Sequence, residues 1–165
     1  MTQPTEFTIT RILNAPRDKV WKAWTDENEL KKWFGPKGMP ITTSKINFTV
    51  GGSYHYGMRM PDGNEMWGRW VYREITAPSR AVWESHFSDP TGTKITRHPF
   101  SPTWPLEMLG TITLEEHDGK TTLTLAMTAL NTTDVERLTW DSSHASLNMG
   151  WGGTFEQLTA YLATT

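Results

Sequence analysis

Cysteine is absent from the 165-residue chain, which excludes disulfides and thiolate metal sites and leads us to expect a cytoplasmic setting. Long apolar runs are absent as well. No segment approaches the ~20 residues that a membrane-spanning helix requires. Met1 to Phe7 lacks the basic-then-apolar profile of a secretory signal. The triplets Asn47-Phe48-Thr49 and Asn131-Thr132-Thr133 are therefore read as accidents of composition, not as glycosylation sites. An excess of one charge sign is missing too. The net charge is −2 and Lys31-Lys32 is too short to make a basic stripe, so nucleic acid is not expected as a partner. His55, His86, His98, His117 and His144 do not fall at metal-ligand spacings. Neither a metal nor another cofactor is expected.

Tryptophan and methionine are what the chain has in quantity: nine and eight residues. An indole brings a large apolar surface and one donor that needs a partner, and a thioether adapts to irregular space. Where these residues fall decides the reading.

Glu6 to Leu13 alternates as a strand, and Asn14-Ala15-Pro16 stops it. Pro16 suits the start of a helix, in which Val20, Trp21 and Trp24 recur at helical spacing. Thr25-Asp26 followed by Glu29 predicts a second short helix carrying Leu30, Trp33 and Phe34, ended by Gly35-Pro36. Strands follow over Ile41–Val50, Ser53–Met60, Met66–Ile75, Arg80–Phe87, Leu106–Glu116 and Thr121–Leu130, punctuated by Gly51-Gly52, Pro61-Asp62-Gly63-Asn64, Ala77-Pro78-Ser79 and Asp118-Gly119. Ser88 to Pro105 reads as a long loop, the kind that forms a lid or is mobile. Thr133 with Glu136 reads as a capping box that opens one long final helix. Its apolar stripe is Leu147, Trp151, Phe155, Leu158 and Leu162. A sheet with one apolar face must be covered, and that helix is the only long element available. The expected fold class is α+β: one domain over residues 1–165, a curved antiparallel sheet wrapped around the C-terminal helix, with two short helices after the first strand.

Several segments in this order resemble a known family. They are Asn14-Ala15-Pro16, Val20-Trp21-Lys22-Ala23-Trp24-Thr25, Trp33-Phe34-Gly35-Pro36, Val50-Gly51-Gly52-Ser53-Tyr54, Pro61-Asp62-Gly63, Pro78-Ser79-Arg80, Gly119 to Leu125 and Gly150-Trp151. The chain resembles the SRPBCC superfamily of START-like, birch-pollen-allergen-like helix-grip folds. Within it, the match is to homologues of the activator of the ninety-kilodalton heat-shock protein's ATPase. The resemblance implies a helix-grip scaffold with a hollow under the helix. It does not choose among lipid carriers, receptors, cyclases, aromatases and chaperone-associated modules.

The strand phases point Tyr54, Tyr56, Met58, Trp70, Trp83, Met108, Ile112, Leu125 and Met127 at the helix. A close-packed core favours Leu, Ile and Val, whereas amphipathic rings and thioethers commonly line ligand pockets. We therefore expect a cavity that binds or sequesters a small hydrophobic molecule, aromatic or acyl. The expected ligand-binding residues are Trp33, Tyr54, Tyr56, Met58, Trp70, Trp83, Met108, Met127 and Trp151. Its mouth should lie between Trp33, Phe34 and Pro36 on one side and the Ser88–Pro105 loop on the other. Gly150 is read as a point of close approach between helix and sheet. The alternatives are an enzyme of cyclase, aromatase or hydrolase type in the same cavity, or a chaperone-associated interaction module. Catalytic candidates are Glu84, His86 and His98. Alternation puts Glu84 and His86 opposite Trp83, toward solvent, and Arg97 and His98 are likewise expected to be solvated. No Ser-His-Asp arrangement or carboxylate pair stands out. Pairing of strand edges into a homodimer is left open.

Overall fold

Side-chain alternation builds the sheet, and helical spacing supplies its cover. The computed structural model describes residues 2–165; Met1, the first residue of the expected domain, lies outside them. The elements are β1 (Phe7–Leu13), α1 (Arg17–Thr25), α2 (Glu27–Trp33), β2 (Ile41–Ile46), β3 (Ser53–Arg59), β4 (Glu65–Thr76), β5 (Arg80–Ser88), β6 (Ile95–Thr96), β7 (Glu107–His117), β8 (Lys120–Leu130), α3 (Asp134–Asp141) and α4 (His144–Ala163). One antiparallel sheet runs β1-β8-β7-β5-β4-β3-β2, with the short β6 beside β5. The fold is α+β, a helix-grip arrangement. No helix of the described residues is long and apolar enough to cross a membrane.

Local chemistry fixes the joints. Asp26 ends α1 and caps α2, its carboxylate accepting from the backbone N–H groups of Asn28 and Glu29. The Trp33 indole donates to the Ala23 carbonyl at 2.9 Å and so ties the two short helices together. Asp118 (φ 52°) and Gly119 (φ 76°) turn the β7–β8 hairpin in the left-handed region that Asp-Gly tolerates. The exposed edge at β2 is blunted, because the Glu27 carboxylate accepts from the Ile46 N–H at 2.9 Å.

Three expectations are corrected. The predicted strand 41–50 stops at Ile46, where Asn47 to Gly52 forms a turn held by Gly52 N–H to the Thr49 carbonyl. The predicted single final helix is two. The hydroxyls of Ser142 and Ser143 donate to the carbonyls of Thr139 and Trp140, taking acceptors the helix would use and breaking it. The loop 88–105 carries β6 and is anchored. Arg97 pairs with Glu136 on α3, Thr139 donates to Thr103 at 2.9 Å, and the Trp104 ring lies 5.5 Å from Trp140.

The interior changes character along the β7–β8 hairpin. Its inward pairs run Leu114–Leu123, Ile112–Leu125, Gly110–Met127 and Met108–Ala129. Leu13, Ile112, Leu114, Leu123, Leu125, Leu158 and Leu162 pack the turn end as buried aliphatic core. Aromatic rings fill the middle. Trp70 and Trp83 stack at 4.3 Å, and Trp24 lies within 6.4 Å of Trp70, Trp83 and Trp151. Strand glycines seat three rings: Gly57 under Trp67, Gly68 under Tyr56 and Gly110 under Trp83. A Cβ there would stand 2.8, 2.4 and 2.6 Å from the nearest ring atoms, closer than carbon can sit. Each glycine pairs directly across the ladder with its aromatic partner.

Candidate functional site

At the methionine end the space is not filled. A cavity of about 420 Å³ lies between the sheet, the first half of α4, the Phe34–Pro36 corner and the anchored loop. Its walls include Tyr56 and Met58 from β3, Met66 from β4, Phe87 from β5, Met108 and Met127 from the hairpin, and Leu147 and Trp151 from α4. A narrower recess of about 90 Å³ continues inward between Trp70, Trp83, Ser85 and Trp151.

Hydrogen bonds hold the rim in place. Thr154 and Gln157 of α4 both donate to the Gly35 carbonyl, at 3.0 and 2.6 Å, and fix the Phe34–Pro36 corner against the helix. Across the opening stand His98 and Trp104 of the loop. The expected mouth position names the same two segments, except that Trp33 does not border the cavity and is wholly buried.

Of the nine expected ligand contacts, Tyr56, Met58, Met108, Met127 and Trp151 line the main cavity. Trp70 and Trp83 line the recess. Trp33 and Tyr54 border neither volume; they belong to the packed core, where Tyr54 is edge-on to Trp70 at 5.2 Å. Strand phase gives the face of Tyr54 but not its depth along the sheet, and Trp33, on α2, turns inward to the Ala23 carbonyl instead. Gly150 is a correction. A Cβ there would meet nothing within 4 Å, so it marks open space at the cavity wall and no close approach.

The polar groups sort as follows. Glu84 lies on the outer face, paired with Arg73. His86 is buried, with a ring nitrogen 3.1 Å from the Phe87 carbonyl, and it borders the recess. The solvated placement expected for it fails because the chain leaving β5 folds back as far as Gly92, which lies against the His55 ring. His55, Arg69 and His86 pair in one row across β3, β4 and β5, so this turn covers their face. His98 is half-buried, lines the cavity and accepts at Nδ1 from the Phe100 N–H at 3.0 Å. Burial lowers its pKa, so at neutral pH the ring is uncharged and Nε2 carries the proton. Arg97 turns away to Glu136. Burial pushes the Tyr56 phenol up to about 12 and keeps it neutral. Among the described residues no cluster of His, Asp or Glu could hold a metal ion. Phe34, Met66, Phe87, Trp104 and Leu147 also line the cavity and were not among the contacts expected from the sequence. Met66 stands four residues from Trp70 and Phe87 four from Trp83, and these even spacings already put two of them on the inward face.

The family model for Activator of Hsp90 ATPase homolog 1-like proteins matches residues 14–163. No curated protein matches. Among solved structures, a protein from Arthrobacter aurescens is 26% identical with a TM-score of 0.79, the match covering 97% of this chain and 87% of that one. A protein from Staphylococcus epidermidis is 26% identical with a TM-score of 0.77 over 99% and 93%. Protein Ms6760 from Mycobacterium smegmatis is 25% identical with a TM-score of 0.76 over 97% and 91%.

Proposed function

The chain belongs to the family of Activator of Hsp90 ATPase homolog 1-like proteins, and from that premise we propose that it binds and sequesters a small hydrophobic molecule, aromatic or acyl, in the cavity under α4. The observation that carries this reading is a mainly apolar hollow of about 420 Å³ between sheet and helix, within the roughly 300–1,000 Å³ of small-molecule sites. Met58, Met108, Met127, Tyr56 and Trp151 are its proposed contacts, and Trp70 and Trp83 close its inner end. Affinity comes mainly from apolar burial at about 25 cal/mol per Å². The same reading takes residues 1–165 as one cytoplasmic domain, supported by the single sheet and by the lack of cysteine.

The test is a titration with aromatic and acyl compounds, read by tryptophan emission and melting temperature. Trp104 and Trp151 border the cavity and report occupancy. A true ligand at a hundredfold excess over its Kd should raise the melting temperature by about 5–10 °C. If no compound moves either signal, the proposal fails.

One observation favours a second, catalytic reading: the uncharged His98, held at Nδ1 and facing the cavity. A cavity-bound molecule that wild type converts, and that His98→Gln binds without converting, would establish it. Ligand recovered unchanged after long incubation sinks it. The chaperone-associated reading has less support, since the exposed large apolar side chains are spread over β1 (Ile12), a turn (Val50), the 88–106 segment (Ile95, Phe100, Leu106), α3 (Val135, Leu138) and α4 (Met149).

A further inference from the structure

The recess holds a polar atom that its apolar surroundings do not explain. Ser85 lies mid-strand on β5, between Trp70 of β4 and Met108 of β7 in one row across the sheet. It is 6% exposed, and its hydroxyl has no hydrogen-bond partner among the described residues. Its two direct neighbours in this row, Trp70 and Met108, are large, so the small serine is what leaves the recess open. The recess shares Phe34, Tyr56, Phe87, Met108, Met127 and Trp151 with the main cavity, so a guest in one reaches the other.

A buried hydroxyl without a partner is destabilising, and a carbon side chain of the same size would avoid that cost. The hydroxyl offers one donor and two acceptor lone pairs. Flat walls surround it: Trp70 and Trp83 stack with only 13° between their planes, and Trp151 stands across the recess. The stacked pair touches, so the open space lies between it and Trp151, and flat indole walls of this kind suit a planar ring better than a branched chain.

We propose that Ser85 is the polar anchor of the site, and that the ligand is a planar aromatic molecule whose leading edge carries an oxygen, hydroxyl or carbonyl, that hydrogen-bonds to the Ser85 hydroxyl. This rests on the binding reading above and narrows it: the ring enters the recess first, and the remainder of the molecule occupies the methionine-lined cavity. A hydrocarbon tail entering methyl-first would fill the same space and leave the hydroxyl unpaired.

Two probes of matched shape, 2-naphthol and 2-methylnaphthalene, measured on wild type, Ser85→Ala and Ser85→Val, test this. Ser85→Ala keeps the space and removes the anchor. It should weaken 2-naphthol about fivefold, leave 2-methylnaphthalene unchanged or slightly tighter, and melt no lower than wild type without ligand. Ser85→Val should close the recess and weaken both probes. If the alanine variant treats the two probes alike, the anchor is refuted while the binding reading stands. Should its ligand-free melting temperature fall by several degrees, the hydroxyl has a partner inside the protein and the inference is likewise lost. Failure of both probes to bind wild type, with no other compound binding, overturns the binding reading itself.

Discussion

The two ends of the interior are built from the same hairpin and the same helix, yet one is solid and the other hollow. At the turn end, Leu114, Leu123, Leu125, Leu158 and Leu162 are buried at 5% exposure or less. At the far end, Met108 and Met127 face Leu147 and Trp151 across open space. The helix differs in step with the sheet. Its second half places Phe155, Leu158 and Leu162 inward, whereas its first half, with the preceding Ser143, offers Ser146 and Gly150 to the cavity wall. Small residues on the helix and flexible thioethers on the strands make a hollow together, and either alone would let the other close over it. Folding energy is thus concentrated at one end, leaving the other free to meet a guest.

The largest expected contrast comes from truncation at each end. Leu158→Ala should cost about 2–5 kcal/mol, because the packed end relaxes poorly around a void. Met127→Ala, beside a hollow that already exists, should cost less than half as much and should alter which compounds bind. Chemical denaturation of both variants checks this, and equal losses would break the distinction between the ends. Next comes Gly110→Ala in the aromatic middle. Trp83 is held between Gly110 and Trp70 and cannot move away, so about 1–3 kcal/mol should be lost.

Gly150→Ala should have the opposite sign. The new methyl meets nothing within 4 Å, and alanine favours the helix by up to about 1 kcal/mol. A higher melting temperature with ligand binding kept would support an open wall, and a lower one would restore the close approach read from sequence. The smallest effect concerns the loop latch. Burial raises the Glu136 pKa, but the Arg97 guanidinium and the Thr133 N–H outweigh it and hold the carboxyl below its ordinary value. A depressed folded-state pKa means the stabilisation is present above the ordinary carboxylate range and lost as pH falls through the depressed value. Trp104 emission should therefore change in acid before the core unfolds, and Glu136→Gln should remove that early step.

Much of this was legible in the sequence. Period-two alternation set the strands and their faces, Asp-Gly placed the hairpin, and Thr133 with Glu136 marked the start of α3. These signals are local, and each lies within a few residues of what it predicts. The readings that failed depend on contacts distant along the chain. Arg97 and Glu136 are 39 residues apart, and the turn that covers the row containing His86 is recognised by where Gly92 meets His55. Gly150 shows a further limit. A helical glycine signals that a side chain is missing, and only its surroundings say whether backbone or empty space took its place.

The glycine seats have an evolutionary consequence. Positions 110 and 83, 68 and 56, and 57 and 67 are joined so that the glycine cannot gain a side chain freely while the ring is in place. A lineage that first shrinks the aromatic can later gain a side chain on the opposite strand; the reverse order passes through a chain destabilised by the clash. Descendants should therefore trade these residues in pairs and in one direction, leaving a record of which substitution came first.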